Sequence, residues 1–330
     1  MMTYFEEHNK KLKLELDRIL LEMPPFCRMY FFGKEQKLAM KTLHNTSFTI
    51  RDFFKFIGQS KFQKLPIDLS ITDLDEISTH DIENYLAQLA NTCSSGTIGQ
   101  AVYTLNSFFR YYYRLDYISS NPVDRIDAPE RKEKPVIRLT QDETKRLLAA
   151  VDSGYRSGTK KHLGEKWTLR NKTILIFFLS TGIRLSELVG LDYGDIDLEN
   201  TCFQVRRKGG RHELCYMTNE LVEVLKKYLQ VFPKSKPNEP LYESLYGGRI
   251  TKTAVQTMLR EYCKKAGITK HITPHKLRST FGTNMYERTR DIYLVAELLG
   301  HKNVATTTKH YTTVNDELKR KALDNFNVSE

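Results

Sequence analysis

Several features that would define a protein class are missing from this sequence. The five cysteines are Cys27, Cys93, Cys202, Cys215 and Cys263. None belongs to a C-x-x-C pair, which argues against a disulfide framework and against a cysteine-rich zinc site. No stretch approaches the roughly 20 consecutive apolar residues of a membrane span, and the charged N-terminus has no apolar signal-peptide core. We therefore expect a soluble, cytoplasmic protein.

Motifs of metal-dependent and nucleotide-dependent catalysis are missing as well. The chain contains neither the H-E-x-x-H pattern of zinc proteases nor the G-x-x-x-x-G-K-[ST] pattern of phosphate-binding loops. Metal-dependent nuclease and ATPase interpretations are therefore weak. We expect neither a metal nor a cofactor.

Positive charge, in contrast, is in excess. The chain carries 51 Lys and Arg residues against 40 Asp and Glu residues, a formal net charge of +11. Such an excess favours a polyanionic partner, either nucleic acid or an acidic membrane surface. A basic but otherwise ordinary enzyme remains an alternative at this point.

The length of 330 residues predicts two domains. The first, residues 1–130, shows helical patterns throughout, among them a capped helix over 78–90 and a long helix over 94–119. We expect the aromatic run within 108–113 to pack in a core rather than to stack on bases. Two prolines, Pro129 and Pro135, bracket a charged, aperiodic run, and we therefore place a linker at about 128–138.

The second predicted domain, residues 139–330, mixes helices with one hairpin. Two strand-like segments surround the Gly209-Gly210 pair within 201–218, and a capped helix with a glycine stop is expected over 250–267. The segment from 275 to 311 predicts three short helices with breaks near Arg290 and at Gly300-His301. A tail helix is expected over 312–326.

Six residues with cationic, imidazole or phenol side chains are distributed along this second domain. They are Arg184, Lys208, His275, Arg278, His301 and Tyr311. Two guanidiniums can hold the non-bridging oxygens of a phosphodiester and neutralise the charge that grows as phosphorus becomes five-coordinate. Imidazoles can donate to those oxygens or move a proton, a phenol can attack phosphorus, and a lysine can protonate the leaving oxygen. The set predicts phosphoryl transfer on a nucleic acid.

Other residues compete for two of these roles. Two further tyrosines lie in apolar helical patterns and are predicted to be core residues, Tyr286 and Tyr293. The assignment of Lys208 competes with three arginines of the same hairpin that could contact phosphate instead, Arg206, Arg207 and Arg211.

The order of these motifs resembles the tyrosine recombinase (phage integrase) family, and most closely its Xer-like bacterial members. The matching segments are TGIRLSEL (181–188), RRKGGR (206–211), TPHKLRSTFGT (273–283) and LLGHKNVATTTKHYT (298–312). The resemblance covers about residues 20–320. It implies a mainly α, two-domain fold, with a helical SAM-like core-binding domain that binds DNA and an α+β catalytic domain that contains a small β-sheet or hairpin.

The resemblance also implies how the phosphate is held. Arg184 and Arg278 would clamp the scissile phosphate, and His301 would hydrogen-bond a non-bridging oxygen. Glu187 resembles the acidic residue that supports the first arginine.

The remaining residues would move protons and attack phosphorus. Tyr311 would be the nucleophile, giving a 3′-phosphotyrosyl intermediate and a free 5′-hydroxyl. Lys208 would protonate the leaving 5′ oxygen, and His275 would take part in proton transfer around the phosphate.

Family members act as tetramers on double-stranded DNA and pass through a Holliday junction. We therefore expect a homotetramer on an inverted-repeat site, with a second recombinase or accessory protein as an option, and association with the nucleoid. The biological role would be chromosome dimer resolution or mobile-element integration and excision. The alternatives are a type IB-like topoisomerase and a catalytically silent DNA-binding module.

Overall fold

A computed structural model describes residues 4–130, 136–154, 161–207 and 210–301, except for the side chains of 161–163. The chain divides into two compact units, Met1–Glu133 and Lys134–Glu330, called here the N-terminal and C-terminal units. In the described ranges no helix is long and apolar enough to cross a bilayer. All five cysteines are free thiols.

Helices build the N-terminal unit. They are α1 (Tyr4–Leu20), α2 (Cys27–Glu35), α3 (Met40–Ile57), α4 (Ile71–Asp75), α5 (Thr79–Ala90) and α6 (Ser95–Tyr113). Local sequence explains several starts: Ser78, for example, accepts from the backbone N–H of Asp81 while the Asp81 carboxylate accepts from the N–H of Ser78. This reciprocal cap satisfies backbone donors that a helix start leaves unpaired. The predicted helix over 78–90 is confirmed.

Aromatic side chains of α3 and α6 form the centre of this unit. Phe53, Phe54, Phe108 and Phe109 are fully buried and meet edge to face. Such pairs contribute about 0.5–1.5 kcal/mol beyond their area burial. The predicted core packing of the aromatic run is thus confirmed, although Tyr113 at its end is 47% exposed.

The long helix predicted over 94–119 ends earlier, at Tyr113. Asp116 adopts a left-handed conformation with φ of 57°, and the N–H of Tyr117 donates to the carbonyl of Tyr112 at 3.1 Å. A left-handed residue of this kind closes a helix by pairing its last carbonyls. The apolar pattern continues beyond this point because the following turn folds back onto the same core.

The C-terminal unit contains seven described α-helices and one small sheet. The helices are α7 (Gln141–Asp152), α8 (Lys161–Thr181), α9 (Leu185–Gly190), α10 (Asn219–Val231), α11 (Lys252–Lys265), α12 (Pro274–Thr289) and α13 (Ile292–Leu298). Central helix α8 packs against α7, α10 and α12, and residues 174–178 within it are all buried. A helix that is apolar on all sides is one that neighbours surround.

The sheet is antiparallel, with strand order β1 (Ile196–Asp197), β2 (Cys202–Arg206) and β3 (His212–Tyr216). Its β2–β3 hairpin is the predicted one, with Arg206 opposite His212 at its described end. Strand β1 was not predicted, since two residues are too few to show an alternating pattern. Phe203 of β2 meets Phe177 of α8 edge to face at 4.9 Å and anchors the sheet on the helical core.

The breaks predicted in the last segment are confirmed at Arg290, which has φ of 57°, and at Gly300, which has φ of 58°. The third predicted helix and the tail helix lie outside the described residues. The core prediction for Tyr293 is wrong, because this side chain is 71% exposed. Helix α13 has one buried face, and Val295, together with Leu299, occupies it. Tyr286 is partly buried against that cluster.

With a helical N-terminal unit and a helical C-terminal unit that contains one small antiparallel sheet, the predicted fold class is confirmed.

Candidate active site

A tight turn after α8 presents the first candidate arginine. Gly182 has φ of 62°, a conformation that costs residues with a Cβ atom about 1–2 kcal/mol. Arg184 follows at the N-cap of α9. Its backbone N–H donates to Oε2 of Glu187 at 3.0 Å and its Nη1 donates to Oε1 of the same carboxylate at 2.8 Å. One carboxylate thus holds both the backbone and the side chain of Arg184.

Glu187 performs this function as a buried anion. Its side chain is 6% exposed. Burial alone would raise the pKa of Glu187, but the Arg207 guanidinium and the hydrogen bonds from Arg184 outweigh burial and lower it. The carboxylate is therefore ionised at neutral pH. The structure places Glu187 in contact with Arg184, as the resemblance implies for a supporting residue.

Arg278, the second candidate arginine, projects from α12 and is only 4% exposed. Its Nη1 donates to the carbonyl of Gly182 at 2.6 Å and its Nη2 donates to the carbonyl of Leu299. Arg184 Nη2 in turn donates to the carbonyl of Gly300 at 3.1 Å. Both guanidiniums are thereby fixed to the backbone that immediately precedes His301.

An open cleft of about 480 Å³ brings three candidates together. Its wall includes Arg184, His275 and Arg278. The spacing H-x-x-R explains the last two, because residues i and i+3 share one face of a helix and Pro274 starts α12 one residue earlier. His275 is exposed at this first turn. A site with two oriented guanidiniums and an accessible imidazole is suited to a phosphodiester.

Of the three remaining candidates, only His301 is among the described residues. His301 is half-buried and its backbone N–H donates to the carbonyl of Ala296 at 2.9 Å. Lys208 and Tyr311 lie outside the described residues, so their roles stay predictions.

Sequence reasoning missed two cleft residues of α11, Lys252 and Gln256. No motif marks them, because only the packing of α11 beside the Arg184 turn places them there. Among the residues that the structure describes, no cluster of three or more His, Cys, Asp or Glu side chains is arranged to hold a metal ion.

Arg207 differs from the expectation that it could contact phosphate. Its side chain is 10% exposed and turns inward, where Nη1 donates to Oε1 and Oε2 of Glu187 at 2.9 and 3.0 Å. Its Nη2 donates to Oε1 of Glu213 at 2.9 Å. Burial would lower the pKa of Arg207, but the two carboxylates raise it.

Residues 137–317 match the phage integrase family, which is more than half of the chain. The chain belongs to the phage integrase family. Residues 29–119 match its N-terminal SAM-like domain. The predicted resemblance is confirmed, and the chain is a tyrosine recombinase, a DNA breaking-rejoining enzyme.

Relatives in the phage integrase family extend over most of the chain. Tyrosine recombinase XerC of Pelobacter propionicus is 30% identical over 276 residues, which cover 84% of this chain and 86% of the relative. Tyrosine recombinase XerD of Lacticaseibacillus casei is 27% identical over 286 residues, covering 84% of this chain and 90% of the relative.

Two solved structures of recombinases share the fold. The XerH site-specific recombinase bound to a palindromic difH substrate has a TM-score of 0.66 at 20% identity, covering 89% of this chain and 82% of that one. The lambda integrase dimer bound to a COC′ core site has a TM-score of 0.66 at 19% identity, covering 89% and 79%.

Proposed function

We propose that this chain is a site-specific recombinase that cuts and rejoins DNA through a 3′-phosphotyrosyl intermediate. The observation that supports this most is the shared anchoring of Arg184 and Arg278. Consecutive carbonyls, those of Leu299 and Gly300, accept from one guanidinium each. Two cations held in fixed orientation neutralise the charge that develops at phosphorus without reorganising during the reaction.

In the proposed first step, the phenolic oxygen of Tyr311 forms a bond to phosphorus and the bond from phosphorus to the 5′ oxygen breaks. The phenolic proton leaves with the help of His275, and Lys208 gives a proton to the 5′ oxygen. His301 donates to a non-bridging oxygen. The products are a 3′-phosphotyrosyl linkage and a 5′-hydroxyl.

Rejoining reverses these bonds with a 5′-hydroxyl of the partner strand as nucleophile. Because the phosphodiester energy is kept in the tyrosyl linkage, the exchange requires no ATP, and the fixed guanidiniums supply the charge neutralisation. We propose that it proceeds through a Holliday junction within a homotetramer on an inverted-repeat site, in the cytoplasm on nucleoid DNA.

We further propose that residues 1–130, which lie within the N-terminal unit, form a DNA-binding domain joined by a linker at about 128–138. A groove of about 520 Å³ in this unit collects four cationic side chains, Lys34, Lys37, Arg110 and Arg114. Burial, together with the charges of Lys37 and Arg114, lowers the pKa of Lys34. Clustered cations repel one another, so a phosphate chain laid along the groove would be favourable.

A covalent trap tests the proposal. Purified protein is incubated with fragmented host DNA and denatured, and the protein-linked fragments are sequenced, with Tyr311→Phe as the control. Adducts at one inverted-repeat sequence that the control lacks would support recombination, and the genomic position would distinguish dimer resolution from integration of a mobile element.

Other outcomes contradict the proposal. Adducts without sequence preference would favour a type IB-like topoisomerase. Absence of adducts would favour a DNA-binding module, and adducts that persist in Tyr311→Phe would refute the nucleophile assignment.

A further inference from the structure

Arg207 occupies a junction in the C-terminal unit that the proposed chemistry does not yet use. It follows β2 directly and precedes Lys208 in the chain. Its backbone N–H donates to the carbonyl of Arg211 at 2.8 Å, which extends the β2–β3 ladder by one residue. The position of Arg207 therefore determines where the hairpin tip begins.

The Arg207 side chain connects this hairpin to the turn that carries Arg184. Its Nη1 donates to both oxygens of Glu187, and Oε1 of Glu187 also accepts from Nη1 of Arg184. Nη2 of Arg207 donates to Glu213 on β3, opposite Val205. Two guanidiniums and two carboxylates thus alternate in the order Arg184–Glu187–Arg207–Glu213, which we call the ion-pair network.

The same guanidinium lies against the segment before His301. A Cβ atom built on Gly300 would fall 2.6 Å from both Cζ and Nη2 of Arg207, closer than side chains approach one another. Because the two carboxylates hold this guanidinium in place, only a glycine fits beside it. One largely buried side chain therefore contacts three parts of the site: the Arg184 turn through Glu187, the hairpin, and the Gly300–His301 segment.

We propose that Arg207 is a positioning residue that sets Arg184, the Lys208 hairpin and the His301 segment relative to one another through the ion-pair network. This inference rests on the proposed function, since it assigns Lys208 the protonation of the leaving oxygen. A direct phosphate contact for Arg207 does not fit its partners, because both of its terminal nitrogens bind carboxylates, whose negative charge repels phosphate. The terminal nitrogens of Arg278, in contrast, donate to backbone carbonyls, and Arg278 lines the cleft.

The test uses the full-length protein and a synthetic duplex that carries the trapped site with a nick, so that cleavage cannot reverse. Single-turnover adduct formation is measured at saturating DNA for wild type, Arg207→Ala, Arg207→Lys and Glu213→Gln. Lys226→Ala is the matched control, because it removes one exposed positive charge on α10, where Lys226 pairs with Glu223. Thermal unfolding verifies that each variant is folded.

Displacing a catalytic group by about 1 Å costs about 100-fold in rate, so Arg207→Ala should lose about that factor with nearly unchanged DNA affinity. Arg207→Lys and Glu213→Gln should each lose less, since each keeps part of the ion-pair network. The control should cleave at the wild-type rate.

A second substrate has sulfur in place of the bridging 5′ oxygen. A thiolate leaves without a proton, so misplacement of Lys208 no longer matters on this substrate. Part of the Arg207→Ala loss should therefore be recovered, whereas a general loss of structure would reduce cleavage of both substrates equally.

The outcomes separate this inference from the function on which it rests. A wild type that forms no adduct overturns the proposed function, and with it this inference. An active wild type with an equally fast Arg207→Ala variant, or one that loses only DNA affinity, overturns the positioning role alone. If Arg207→Ala does not fold, Glu213→Gln decides. The sulfur substrate should recover part of the rate that Glu213→Gln loses, and equal slowing on both substrates contradicts the proposal.

Discussion

Replacing Gly182 with alanine should destabilise the C-terminal unit for two separable reasons. The residue has φ of 62°, in the left-handed region, and an added Cβ atom would lie 2.5 Å from Cδ1 of Phe281 and 2.9 Å from Cδ2 of Leu299. Both neighbours belong to a buried cluster and cannot swing into solvent. The substitution therefore adds backbone strain and overpacks the core.

Each contribution has a typical size. The left-handed backbone costs alanine about 1–2 kcal/mol, and overpacking a core costs about 1–3 kcal/mol. The free energy of unfolding should thus fall by about 2–5 kcal/mol. For a unit of this length each kcal/mol lowers Tm by about 2–4 °C, which gives a decrease of about 4–20 °C. Adduct formation should slow as well, because the Gly182 carbonyl accepts from Arg278.

Gly248→Ala is the matched control, because Gly248 has φ of 67° and a Cβ atom there would meet nothing within 4 Å. It should lose only the strain contribution, about 1–2 kcal/mol. Urea unfolding of both variants, followed by fluorescence and circular dichroism, measures the difference. Equal free energies of unfolding for the two variants would refute the packing argument, and a stability of Gly182→Ala equal to that of wild type would refute the whole reasoning.

Three further predictions concern charged groups. Arg278→Ala should reduce the single-turnover cleavage rate by at least about 100-fold while DNA affinity changes little, because the guanidinium stabilises the charge that develops in the transition state. Equal losses in rate and affinity would mean that Arg278 only binds the DNA backbone. Glu187→Gln should lower the free energy of unfolding at neutral pH by about 3–5 kcal/mol, because it removes the anion between two guanidiniums. Because the folded-state pKa of Glu187 is lowered, its stabilising contribution is complete at neutral pH and is lost as pH falls through that pKa. Urea unfolding measured against pH should therefore show a smaller loss of stability in acid for Glu187→Gln than for wild type. An unchanged pH profile would contradict this. Replacing Lys34 and Arg114 by glutamine should make the slope of log affinity against log salt concentration shallower by about 0.9 for each phosphate that is no longer neutralised. The control Lys226→Gln should leave the slope unchanged. An unaltered slope in the double variant would mean that DNA does not bind in this groove.

Sequence patterns predicted local structure correctly where residues close together in the chain determine it. The cap at Ser78, the glycine turn before Arg184 and the hairpin pairing Arg206 with His212 each depend on residues a few positions apart. Sequence patterns failed where a helix has more apolar residues than its buried face can hold. Tyr293 of α13 is exposed although its sequence context is apolar.

By itself, the sequence determined the family, the mainly helical fold class and the identities of the candidate catalytic residues, because motif order and side-chain chemistry can be read without coordinates. Only the tertiary structure decided that Arg207 binds the carboxylates of Glu187 and Glu213, and that Lys252 lines the cleft. Four arginine and lysine side chains of one hairpin have the same charge and similar reach. That Arg207 turns inward depends on where the packing of α8, α9 and α13 brings Glu187 and Gly300, which are distant from it in sequence.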